Sequence, residues 1–118
     1  MFEITFYQDS KGNKPVLDYI NELNKGDSKN NRINIIKIYD YIDVLREAGT
    51  SAGESYMKHL DGDIWELRPI RNRIVFAAWN GKGFILLHHF IKKTKKTPLD
   101  EIRKAKRELA DWKGRDRK

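Results

Sequence analysis

Cations stand at the ends of apolar runs in the second half of this chain. Arg68 closes Ile64-Trp65-Glu66-Leu67, Arg73 opens Ile74-Val75-Phe76, and Lys92 and Lys93 follow the run from Phe84 to Ile91. Glu66, His88 and His89 sit inside the same runs and are able to take up or give a proton; one of the two histidines is expected to pack as a sheet residue and the other to look onto the basic face. If the runs are neighbouring strands, these side chains converge. Cations held together repel one another unless an anion visits, so the pattern points to binding of a negatively charged partner. The plain alternative is a solvated sheet face on which Glu66 and Arg68 form an ordinary cross-strand ion pair.

The distribution of charge sharpens the first reading. The chain of 118 residues carries 24 Lys and Arg against 17 Asp and Glu, a formal net charge of +7. Residues 1–91 hold 12 basic and 12 acidic side chains, whereas residues 92–118 hold 12 basic and 5 acidic. The whole excess therefore begins at Lys92, which suits a polyanionic partner.

Several chemistries fall away. Without cysteine there is no disulfide framework, thiol nucleophile or thiolate metal site, and the composition suits a reducing cytoplasm. His88 and His89 are adjacent in a strand, so they point to opposite faces and cannot share a metal, and His59 has no second ligand spaced for it. No metal and no cofactor is expected: there is no phosphate-cradling glycine loop, Ser/His/Asp arrangement or carboxylate pair in a matching context. No run of about eighteen apolar residues or signal-like N-terminus occurs, so a soluble, unprocessed, cytoplasmic protein is expected, without membrane contact.

The elements that must position these residues can be read in order. Phe2 to Tyr7 alternates as a half-buried strand. Pro15 opens a short helix bearing Val16, Leu17, Ile20 and Leu23, stopped by Gly26. Asp27 or Ser28 caps a second helix with Ile35, Ile38, Tyr39, Ile42 and Leu45 on one face, ending at Gly49. The stretch from Gly49 to Asp63 has loop composition, and the period then changes from 3.6 to 2. Strands are predicted over 64–68, 73–79 and 84–91, the last two joined through Asn80-Gly81. Thr97-Pro98 supplies an N-cap and a first-turn proline for a last helix with Ile102, Ala105, Leu109 and Trp112 on its apolar face.

The expected fold is α+β: an N-terminal strand, a two-helix hairpin, a three-stranded antiparallel meander and a C-terminal helix, with the helices on one sheet face. The chain reads as one domain over 1–118, with 113–118 a frayed basic tail. A register that matches the apolar sets brings Arg73 beside Arg68 across the Pro69–Asn72 turn, and an antiparallel third strand returns Lys92 or Lys93 toward Arg73.

The segments "IWELRP", "RIVFAAWNGKGFILLHHFIKKTKKTP" and "EIRKAKRELADW", in this order, resemble the RelE/ParE superfamily of bacterial type II toxins, and most of all its HigB-like, phage-derived branch. The resemblance covers most of the chain and is most specific over residues 64–112. It implies a RelE-like small toxin fold and a ribosome-dependent endoribonuclease that cuts mRNA without a metal. It also implies a helix-turn-helix, HigA-like antitoxin partner in a toxin–antitoxin hetero-oligomer. On this resemblance Arg73 matches the arginine that stabilises phosphate charge, and Lys93 or Lys92 matches the cation after the last strand. Arg68 and Glu66 fall where relatives place polar active-site groups, and Glu66, His88 or a lysine deprotonated under the influence of neighbouring cations can move a proton. Lys95, Lys96, Arg71 and Lys104 are then the candidates for gripping RNA backbone of mRNA and ribosome. The tyrosine or histidine-rich C-terminus of several relatives is absent from residues 94–111, which leaves the general base open. A gyrase-inhibiting toxin of the same fold and a non-catalytic basic RNA-binding module are the alternatives.

Overall fold

In a computed structural model, which describes residues 1–115, the chain forms β1 (Glu3–Phe6), α1 (Pro15–Lys25), α2 (Lys29–Ala48), a single 3-10 turn (Gly49–Ala52), β2 (Met57–Asp61), β3 (Ile64–Leu67), β4 (Asn72–Trp79), β5 (Gly83–Ile91) and α3 (Leu99–Arg115). The strands make one sheet in the order β1-β5-β4-β3-β2. β1 runs parallel to β5, and the other neighbours are antiparallel. The α+β class expected from the sequence is that of the structure, and the expected elements occur in the expected order with one strand added.

Local signals act as read. Pro15 is the first residue of α1, and the Ser28 hydroxyl accepts from the Asn31 N–H at 3.0 Å as the cap of α2. Asn80 and Gly81 both take positive φ in the β4–β5 hairpin, a conformation that Asn-Gly tolerates.

Four expectations change. Residues 57–61 are a strand rather than loop, so the antiparallel meander has β2 as a further member; it lies at the sheet edge, and only Met57 in it is buried. A strand with one buried residue and a register shift between His59 and Asp61 offers no alternation to read. Second, the helices do not share a face. Val16, Ile20, Ile38, Ile42 and Leu45 pack with Leu67, Ile74, Phe76 and Leu86 on one side, while Ala105 and Leu109 pack with Ile64, Val75, Ala77, Ile85 and Leu87 on the other. Third, Tyr39 is exposed, and Tyr41 and Val44 take its place against the core. Fourth, the expected frayed tail is helical as far as Arg115, whose guanidinium lies over the Tyr7 and Trp112 rings; residues 116–118 lie outside the described residues.

Both faces of the sheet are thus covered, and the consequence for position is direct. Ile74 and Val75 insert into opposite cores, and each fully buried aliphatic side chain stabilises by roughly 1.5–3 kcal/mol. The start of β4, which carries Arg73, cannot move without exposing both. No helix among the described residues is long and apolar enough to cross a membrane.

Candidate functional site

β3, β4, the end of β5, the connection 92–98 and the start of α3 line an open cavity of about 410 Å³. Glu66, Arg73, Phe90, Lys93, Thr97 and Glu101 are among the residues that line it, and Lys92, Lys95 and Lys96 complete its basic rim. The register explains the convergence. Glu66 pairs with Val75, and Arg73 pairs with Phe90, so the end of β5 turns out beside both.

Glu66 is the centre of the arrangement and is only 3% exposed. Its Oε2 lies 3.6 Å from Arg68 Nε and 3.9 Å from Arg73 Nε, and its Oε1 accepts from the Thr97 hydroxyl at 2.7 Å. The two arginines predicted to sit side by side therefore flank one buried carboxylate, which offsets their repulsion. The sheet face here is not solvated, because α3 packs across it.

Arg73 is also buried, and its Nη1 donates to the carbonyls of Ile70 at 3.0 Å and Asn72 at 2.8 Å. Burial pulls its pKa below the usual value, Glu66 acts in the opposite sense, and Arg68 and Arg71 add to the lowering. The ordinary value is so high that the guanidinium stays charged. A buried charge with a fixed direction is suited to holding an anion.

The turn that delivers Arg73 is itself clamped. Ile70 has φ 60, a left-handed conformation that costs a β-branched residue roughly 1–2 kcal/mol. Asn72 Nδ2 donates to the Pro69 carbonyl and to Asn34 Oδ1, while Asn72 Oδ1 accepts from the Tyr19 hydroxyl and from His89 Nε2. All four hydrogen-bonding positions of this buried amide are used, which ties α1 and α2 to the turn. Arg71 Nη2 donates to the Lys92 carbonyl at 2.8 Å and ties the same turn to the end of β5.

The two histidines face opposite sides, as their adjacency requires, but a bulge decides which side each takes. Val75 pairs with His88 and Phe76 pairs with Leu86, so Leu87 is the extra residue and both Leu87 and His88 turn toward α3. His88 is 1% exposed and does not line the cavity. Its Nδ1 donates to Glu108 Oε1 at 2.5 Å, and its Nε2 shares a hydrogen bond with Glu101 Oε1 at 3.0 Å. His89 instead stacks on Tyr19 with ring centroids 3.5 Å apart, and burial followed by the neighbouring His88 lowers its pKa to about 4.

Of the sequence candidates, Glu66, Arg68, Arg73, Lys92, Lys93, Lys95 and Lys96 come together, and Arg71 braces them from behind. His88 lies beneath the wall rather than in it. Lys104 is exposed on α3 and is not part of the lining. Among the described residues, no group of three or more His, Asp or Glu is placed to hold a metal ion.

Thr97, Glu101 and Glu108 were not foreseen. Thr97 was expected to cap α3, but the helix begins at Leu99 and the hydroxyl is given to Glu66. Glu108 did carry a signal: it lies in the stripe of Ala105, Leu109 and Trp112, and a carboxylate on an apolar stripe calls for a buried partner.

No curated protein matches the chain. The family model described as "Phage derived protein Gp49-like (DUF891)" matches residues 18–110, which run from within α1 to within α3 and include every residue lining the cavity. The chain therefore belongs to the phage-derived Gp49-like family, in general a family of RelE/HigB-like toxins.

Proposed function

We propose that this protein is the HigB-like toxin of a type II toxin–antitoxin pair and acts in the cytoplasm as a ribosome-dependent endoribonuclease that cuts mRNA and stops translation. The observation that carries the reading is the buried Glu66 carboxylate, with Arg68 and Arg73 beside it, in the lining of a cavity rimmed by Lys92, Lys93, Lys95 and Lys96. RNA supplies its own nucleophile in the 2′-hydroxyl, so cleavage needs a proton acceptor, a proton donor and fixed positive charge.

The groups divide accordingly. Every partner of Glu66 is a hydrogen-bond donor or a cation, which suits a carboxylate that receives the 2′-hydroxyl proton. Arg73, fixed by the carbonyls of Ile70 and Asn72, and Arg68 stabilise the charge of the phosphorane. Lys93 and Lys92 complete that shell, while exposed Lys95 and Lys96 hold adjacent backbone phosphate without reading sequence. A helix-turn-helix antitoxin is the partner that would keep the cavity closed to RNA.

Expression in bacteria with mapping of cellular mRNA 5′ ends tests the reading. Growth arrest with translation-dependent cuts that leave 5′-hydroxyl ends is expected, and Glu66→Gln removes the cuts. Arrest with intact message and altered DNA supercoiling would overturn it in favour of gyrase inhibition. Binding without any cleavage would leave only an RNA-binding module.

A further inference from the structure

The cavity holds a second carboxyl group that the sequence pattern did not single out. Glu101, in the first turn of α3, lines the same cavity as Glu66, and its side chain is 27% exposed. The partners of the two carboxyls differ in kind. Glu66 faces guanidiniums and a hydroxyl, whereas Glu101 Oε1 meets the ring nitrogen Nε2 of His88 at 3.0 Å.

Behind Glu101 the connection continues inward. His88 Nδ1 donates to Glu108 Oε1, which fixes the ring and occupies that proton. His88 engages only one Glu101 oxygen, Oε1, which leaves Oε2 as the oxygen from which a proton can pass to a ligand in the cavity. The same lining thus holds one carboxyl group whose partners are cations and a hydroxyl and another whose partner is a ring nitrogen. This pairing depends on the Leu87 bulge, which turns His88 toward α3.

We infer that Glu101 is the catalytic proton donor to the leaving 5′-oxygen, with His88 and Glu108 as positioning residues behind it. The inference rests on the cleavage reading above. In the step, the 2′-oxygen loses its proton to Glu66 and bonds to phosphorus. The bond from phosphorus to the 5′-oxygen breaks, and that oxygen takes the Glu101 proton. The products are a 2′,3′-cyclic phosphate and a 5′-hydroxyl, and water exchange returns the proton from Glu66 to Glu101.

The test uses ribosomes programmed with a message that carries, at its cleavage site, either the natural linkage or a single 5′-bridging sulfur. A thiolate leaves without needing a proton, so loss of the donor is repaired by sulfur and loss of the acceptor is not. Glu101→Gln, nearly isosteric, is expected to slow cleavage of the natural message by about 10²-fold or more and to cut the sulfur message within a few-fold of the wild-type rate. Glu66→Gln is expected to stay slow on both, and His88→Gln to show the same repair with a smaller defect. A Glu101→Gln protein that is equally slow on both messages, or as fast as wild type on the natural one, overturns the assignment while leaving the cleavage reading intact. His88→Gln slow on both overturns the positioning role. Wild-type protein that leaves the natural message whole overturns the cleavage reading itself.

Discussion

Acidification should destabilise this protein through His89, by an amount that follows from its surroundings. The ring is stacked on Tyr19, donates Nε2 to Asn72 Oδ1 at 3.0 Å, and has its pKa lowered by burial and by His88 from 6.5 to about 4. Between those values the unfolded chain binds a proton at this position and the folded chain does not. The stabilisation is therefore complete above 6.5 and is lost as pH falls toward about 4. One pKa unit corresponds to about 1.4 kcal/mol, so the loss is on the order of 3 kcal/mol. Other groups titrate in this range, and comparison with His89→Gln removes them: glutamine keeps a donor for Asn72 but does not titrate. With a urea slope of about 1.5 kcal/mol/M for a chain of this size, the midpoint of the wild type should fall between pH 7 and pH 4 by about 2 M more than that of the variant. Equal slopes are needed for the comparison. Parallel pH dependence of the two proteins would refute the account, because it would mean that His89 is protonated as easily folded as unfolded.

Arg73→Ala leaves Glu66 with Arg68 and the Thr97 hydroxyl but takes the donor from two carbonyls, and should cost about 1–3 kcal/mol in thermal or urea unfolding, whereas Arg73→Lys should stay folded and lose message cleavage, since an ammonium cannot reproduce the guanidinium's anchorage to two carbonyls. Gly83→Ala would place a Cβ 1.9 Å from the Glu3 carbonyl oxygen, so β1 must shift from β5. A loss of about 1–3 kcal/mol and faster proteolysis at the N-terminus are expected, and an unchanged proteolysis pattern would contradict the pairing. Lys95→Ala and Lys96→Ala should each lower the salt dependence of ribosome binding by about one unit of slope without changing which messages bind.

The placement of Glu66, Arg68 and Arg73 was legible because strand alternation fixes faces and the Pro69–Asn72 turn fixes register. The roles of Glu101 and Glu108 were not, since helix periodicity reports only which side of α3 is buried and not which strand residue it meets. Thr97 shows the same limit in reverse: its type and position suit an N-cap, yet Glu66, 31 positions earlier, claims its hydroxyl. A buried carboxylate costs more to leave unpaired than a helix terminus that water can reach, so the long-range partner prevails over the local one.

Period, proline, glycine and capping residues set the order of elements, and residue types alone place the excess of positive charge after β5. These signals are local, written within a turn or a strand. Packing in three dimensions sets the rest: α3 covers the face opposite α1 and α2, Met57–Asp61 joins the sheet as its edge, and His88 turns toward α3. Each of these depends on pairing between distant segments, and the bulge at Leu87 is the clearest instance. One extra residue in β5 inverts the alternation that the sequence displays, and with it decides which histidine stands behind the cavity.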